Sequence, residues 1–176
     1  MTKAKLQSFD VLIEIPKGSR NKYEYDFRLK KIRYDRMLFS SMMYPADYGF
    51  IPETLALDGD PLDVLVLVTE PTFPGCVMEV KPIGVFHMAD EKGPDEKIVC
   101  VPVSDPVWNK LQDLSDMNPH LLKEIEHFFQ VYKDLEQKKV DVEGWGDVNE
   151  AHAIIDECIA RFASMENKPA GLFSIS

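Results

Sequence analysis

Three aspartates fall within six positions, at Asp58, Asp60 and Asp63, with Gly59 and Pro61 between them and the apolar run Val64–Val68 directly after. Carboxylates this close repel one another, by about 1 kcal/mol per pair at 4 Å even in water and by more where water is scarce. The plain reading is a solvated turn, because Asp-Gly and Asp-Pro are common turn dipeptides. Three carboxylates at the mouth of a buried strand favour a cation among them instead. Every nearby donor is an oxygen, with no Cys or His close by, which selects a hard ion, Mg²⁺ or Mn²⁺, before zinc. A calcium-binding hand loop does not fit: counted from Asp58, the position that needs Gly is Asp63 and the one that needs Glu is Thr69. A Mg²⁺ site with coordination positions open to water and substrate fits better.

A second acidic set, Asp90, Glu91, Asp95 and Glu96, lies in "MADEKGPDEKIV", with Lys97 just after. Alone it reads as a solvated hairpin loop. Beside the first cluster, Asp90 and Asp95 become candidates for further metal ligation. Basic residues answer them unevenly: Lys17 to Arg36 holds 8 of the chain's 20 Lys and Arg. Such a stretch is ordinarily a soluble edge. Lys22 and Glu24 nevertheless share one strand face and could set a cation beside a carboxylate, and Arg36 closes the next strand. Acids that hold metal and a few converging cations suit a compact polyanion bound through Mg²⁺, which is phosphate chemistry. Aromatic residues add less. Tyr44 and Tyr48 flank Pro45 in "MYPADYGF", and Tyr132, next to Lys133, continues a helical apolar stripe.

The elements that must carry these residues are strands first and helices last. Phe9–Pro16 is apolar and β-branched and ends in the turn "PKGSRN". Lys22–Phe27 alternates, with Tyr23, Tyr25 and Phe27 on one face, and "KIRYDRM" is its expected hairpin partner. "DVLVLV", Val77–Met88 and Glu96–Val103 complete a set of short strands punctuated by Pro and Gly, as in a small closed barrel. Asn118 as cap and Pro119 as first residue open a helix whose apolar positions, Leu121, Leu122, Ile125, Phe128, Phe129, Tyr132 and Leu135, recur at helical spacing. A second helix is expected over about Val148 to Phe162, with Ala151, Ile154, Ile155, Cys158 and Phe162 inward. The stretch "ENKPAGLFSIS" fits no pattern. The fold expected is α+β, mainly β: a barrel with helices packed at its C-terminal end, one domain over residues 1–176.

The bulk numbers agree. The chain of 176 residues is long enough for one core. A net charge of −10 disfavours nonspecific binding to nucleic acid or anionic lipid. No apolar run approaches the roughly 20 residues of a membrane span, and "MTKAKLQSFD" has no signal-peptide apolar region. Cys76, Cys100 and Cys158 form no C-x-x-C pair and read as reduced thiols. The expected compartment is the cytoplasm.

The stretch "DGDPLD" resembles, at every position, the signature D-[SGDN]-D-[PE]-[LIVMF]-D of the family I soluble inorganic pyrophosphatases. "IEIPKGSRNKYE", "YPADYGFIPETL", "DEKGPDEKIVCVP" and "HFFQVYKDLE" also resemble family segments, in family order, so that the likeness runs from about residue 9 to 160. A lone D-x-D-x-x-D would be weak, but five segments in order are strong. The resemblance implies a five-stranded barrel of the oligonucleotide/oligosaccharide-binding type and Mg²⁺-dependent hydrolysis of pyrophosphate to two phosphates, with Mn²⁺ or another divalent ion as substitutes. It implies that Asp58, Asp63 and Asp95 bind activating metals, with Asp63 bridging two. Asp90 and Asp95 would hold a metal that arrives with substrate, and Glu24 another. Asp60 would be the general base, and Glu14 a further active-site acid. Lys22, Arg36, Lys97, Tyr132 and Lys133 would grip the phosphates, with Tyr48 supporting and Tyr44 near the water site. Asp47 departs slightly, because some members carry Asn there. Bacterial members are commonly hexamers, so a homo-oligomer is expected. His127, Phe128 and Phe129 are candidate interface residues, with core packing the alternative.

Two rivals stand beside this reading. Another Mg²⁺-dependent phosphohydrolase could use D-x-D chemistry, although aspartyl-phosphate enzymes need alternating strands and helices. A non-catalytic barrel that binds single-stranded nucleic acid would share the fold, but the net charge and the acidic mouth oppose it.

Overall fold

The computed structural model describes residues 8–176. Among these residues nine strands form: β1 (Phe9–Ile15), β2 (Asn21–Asp26), β3 (Lys31–Met37), β4 (Asp47–Phe50), β5 (Asp63–Val66), β6 (Val77–Asp90), β7 (Gly93–Pro94), β8 (Lys97–Pro102) and β9 (Asp141–Gly146). Two helices follow the barrel strands, α1 (Pro119–Val131) and α2 (Val148–Ala163). Strands β1, β4, β5, β8 and β6 pair in that order, and β6 pairs back to β1. The ring closes as the five-stranded barrel the resemblance implied. Strand β9 extends it from β6, while β2 and β3 form a separate two-stranded sheet.

The alternation read in Lys22–Phe27 becomes the β2–β3 hairpin, with Lys22 opposite Arg36 and Asp26 opposite Lys31. Strand β5 is buried on both faces because it is central. Leu65 joins one apolar cluster, with Val99, Val101 and the α1 residues Ile125, Phe128 and Phe129. Val64 and Val66 join another, with Ile98, Cys100 and the α2 residues Ala151, Ile155 and Cys158. Strands β5 and β8 run parallel with Asp63 beside Lys97, so both strands begin at the same end of the barrel.

Four details differ from the sequence reading or go beyond it. Strand β4 was not expected; Gly49 permits it, because a Cβ there would stand 1.9 Å from the Leu12 carbonyl oxygen of β1. Helix α1 ends at Val131 rather than continuing through Leu135, which is exposed. The Tyr132 N–H closes the helix on the Phe128 carbonyl, and a short 3₁₀ turn, Asp134–Glu136, redirects the chain. Phe128 and Phe129 are buried in this chain's own core, so they offer no surface to another copy; His127 is exposed. Asp47 is 0% exposed and accepts from the Lys17 N–H at 2.8 Å and from the Thr72 N–H and hydroxyl, so its place is structural.

Candidate active site

The aspartate loop folds on itself before it reaches the barrel. The Asp60 carbonyl accepts from the Ala56 N–H at 2.8 Å, and the Asp60 N–H donates to Asp58 Oδ1 at 3.1 Å. Gly59 takes φ +93°, a left-handed conformation that other residues adopt only with strain. Buried Thr54 ties the loop down, accepting from the Leu62 N–H at 2.9 Å and donating to the Ile51 carbonyl at 2.6 Å. Asp63 is then the first residue of β5, facing Lys97 at the start of β8. Strand β6 ends at Asp90, and Asp95 lies in the short connection that leads into β8.

At the floor of the site Lys97 is 1% exposed. Its ammonium donates to Asp63 Oδ2 and Asp95 Oδ1, each at 2.8 Å, and to the Tyr48 hydroxyl at 3.0 Å. Tyr48 in turn donates to Asp63 Oδ2 at 2.5 Å. Burial pulls the Lys97 pKa down, but the two carboxylates outweigh it and hold the ammonium well above its ordinary range. Burial also raises Tyr48, so it remains a donor. Glu14 accepts from the Tyr25 N–H at 2.7 Å, yet burial pushes its carboxyl up to about 8.

Towards solvent the acids are less compensated. Asp60 is 61% exposed, with Lys92 no nearer than 3.7 Å. Burial and the neighbouring Asp60 charge raise Asp58. Burial opposes ionisation of Asp90, but the Lys92 N–H at 2.9 Å and the Lys133 ammonium at 3.3 Å hold it below the usual carboxylate range. Lys22 bonds Glu24 and, at 3.3 Å, Asp35. Arg36 donates to Asp35 at 2.6 Å and to Glu136 at 3.0 Å. Lys133 also stands 5.3 Å from the centre of the Tyr132 ring.

Glu14, Lys22, Glu24, Arg36, Tyr48, Asp58, Asp60, Asp63, Asp90, Asp95, Lys97, Tyr132 and Lys133 all line one cavity of about 630 Å³. Tyr44 does not: it is buried behind the wall, its ring 5.6 Å from Tyr48 and 4.9 Å from Phe128. Sequence reasoning missed Asp35 and Glu136, the partners of Arg36. Asp35 stands at the irregularity in the hairpin register, next to Arg36, which is the residue across from Lys22. The turn after Lys133 signals Glu136 only once its fold is known.

The donor chemistry suits a hard divalent ion, because the acids present only oxygen. The convergence is not fully made: among the described residues no three acidic, His or Cys side chains stand close enough to hold a metal ion. The Lys97 ammonium fills the space between Asp63 and Asp95.

A family model described as inorganic pyrophosphatase matches residues 11–163. The chain belongs to the inorganic pyrophosphatase family. The inorganic pyrophosphatase of Methanosarcina mazei is 60% identical over 156 residues, 89% of this chain and 92% of that one. That of Leifsonia xyli is 53% identical over 162 residues, 92% and 98%. Among solved structures, the Thermus thermophilus inorganic pyrophosphatase superposes with a TM-score of 0.87 at 46% identity, over 93% of this chain and 95% of that one. The Coxiella burnetii inorganic pyrophosphatase gives 0.87 at 44%, over 92% and 99%. Family membership fits a closed barrel whose charged cavity opens where β5 and β8 begin. No helix among the described residues is long and apolar enough to cross a membrane.

Proposed function

We propose that this chain hydrolyses inorganic pyrophosphate to two orthophosphates in the charged cavity, with divalent ions, Mg²⁺ first, held by Asp58, Asp63, Asp90, Asp95 and Glu24. The observation that carries the reading is the meeting of acids and cations from five separated segments on one cavity, in a chain of this family. When bound, such ions neutralise phosphate oxygens and acidify a shared water.

The chain's own residues then have defined work. Asp60 is exposed and only loosely paired, so it can accept the proton of the attacking water. The water oxygen bonds to one phosphorus, the bridging P–O bond breaks, and the bridging oxygen leaves with the second phosphate. Arg36, Tyr132 and Lys133 stabilise that departing group, with electrostatics supplying most of the rate. Lys22 and Arg36 reach the substrate from the hairpin. Lys97 has three N–H donors, and all three are engaged; it contacts phosphate by exchanging one of them. Tyr48 keeps Asp63 oriented, and Tyr44 supports Tyr48 from the core.

The same reading takes residues 1–176 as one domain, acting in the cytoplasm as a homo-oligomer, a hexamer by family resemblance. It assigns no nucleic-acid or membrane partner, supported by the net charge of −10. The test is phosphate release from pyrophosphate with Mg²⁺ and then with EDTA, beside ATP and a sugar phosphate. Fast release from pyrophosphate alone, abolished by EDTA, is expected. No release from folded protein would overturn the reading and favour a binding module.

A further inference from the structure

The segment after α2 returns to the cavity. Phe173 lines it, although it lies far outside the five family-like segments. Its carbonyl accepts from the Glu53 N–H at 3.0 Å, at the start of the stretch that leads into Asp58–Asp63. Its ring stands 5.2 Å from that of Phe27, which follows β2 at the hairpin's turn, and 6.0 Å from Phe162 of α2. Phe27 in turn packs 5.4 Å from Phe50 of β4. One residue thus touches three elements, and two of them carry proposed site residues.

Two further observations give this contact weight. The β2–β3 hairpin, which carries Lys22, Glu24 and Arg36, is not paired into the barrel as a strand pair, so its pose depends on side-chain contacts: Glu14 to the Tyr25 N–H, Arg36 to Glu136, and ring packing. Phe173 also holds φ +55°, a left-handed conformation that is strained for a bulky residue. Such an outlier persists where surrounding contacts over-determine it.

We propose that Phe173 is a positioning residue, stapling the hairpin to the loop that carries Asp58, Asp60 and Asp63 so that both halves of the cavity are in place before substrate binds. This deepens the hydrolysis reading and rests on it. Loosening the staple leaves the competent pose only partly populated. Apparent substrate affinity then falls by that fraction, while turnover of the filled site is unchanged.

The test is Phe173→Gly, which keeps the left-handed backbone and its carbonyl but removes the ring, with Phe173→Tyr as the conservative variant. Steady-state kinetics on pyrophosphate and amide hydrogen exchange are read together. The glycine variant should raise KM on the order of tenfold with kcat within about twofold, and Phe173→Tyr should stay within about twofold of the parent. Exchange should quicken over 21–37 and 53–63 and stay unchanged in β5 and β8. If the glycine variant does not fold, Phe173→Leu, which keeps apolar volume without the aromatic contacts, is read the same way. Unchanged KM, unchanged exchange in the hairpin, or exchange quickened equally across the barrel would each overturn the proposal. If the parent protein releases no phosphate, the hydrolysis reading fails by itself, and the exchange comparison alone decides the staple.

Discussion

The cavity holds two sets of carboxylates in opposite circumstances. The inner set, Asp63 and Asp95, surrounds a buried ammonium, and each oxygen that faces Lys97 is bonded to it at 2.8 Å. The outer set, Asp58, Asp60 and Glu24, stands on the loop and the hairpin, with Asp60 61% and Glu24 56% exposed. The inner acids are partly compensated by the chain itself before any ion binds. The outer acids face solvent. The cavity therefore grades from acids compensated within the fold to acids open to solvent, and the proposed ions draw on both.

The largest expected effect tests the inner set. Lys97→Met strands two carboxylates in a buried site, and breaking such a pair costs about 3–5 kcal/mol. Urea denaturation in EDTA should show that loss, and a change below 1 kcal/mol would break the comparison. Next comes the outer set. Asp60→Asn should lower kcat on pyrophosphate by about 10²–10⁴-fold while leaving urea stability within about 0.5 kcal/mol. A parallel loss of stability would place Asp60 with the inner acids.

Glu14 gives a pH-dependent contrast. Its folded-state pKa of about 8 lies above the ordinary 4.5, so the stability it contributes is intact below about pH 4.5 and is lost as pH rises through 8. Glutamine cannot ionise, so Glu14→Gln in EDTA should shrink the fall in stability between pH 5 and 8 by on the order of 2 kcal/mol. An identical pH profile would mean that Glu14 is not held protonated. The smallest effect belongs to the outer ion pair. Lys92→Ala removes an exposed 3.7 Å contact to Asp60 and should change stability by less than about 0.5 kcal/mol.

Local pattern made much of this molecule legible. Alternation in Lys22–Phe27 located the hairpin, and Asn118 with Pro119 located the start of α1. The five family-like segments named most of the residues that meet at the cavity. Features that depend on distant partners stayed hidden. Strand β4 is four residues containing a glycine, which reads as a turn until Gly49 is seen against Leu12. Strand β9, "DVEGWG", holds two glycines and gains its place only by pairing with β6. Glu136 meets Arg36 across 100 positions of sequence, a pairing no short window contains. Leu135 continued the helical spacing, but after Tyr132 the chain turns into the 3₁₀ segment Asp134–Glu136, which ends on Gln137 at φ +56°. Phe173 lies in a stretch whose pattern carries no signal, because its role comes wholly from contacts with Phe27 and Glu53.

The most direct test of the proposed metal site is calorimetric titration of Mg²⁺ into EDTA-stripped protein, comparing the parent with Asp63→Asn and Asp60→Asn. Asp63 belongs to the inner set, bonded to Lys97 through Oδ2, and is the proposed bridge between two ions. The account predicts measurable binding in the parent, near-parental affinity in Asp60→Asn, and affinity at least about tenfold weaker in Asp63→Asn, which removes a charge shared by two ions. Equal affinity in all three proteins would contradict it.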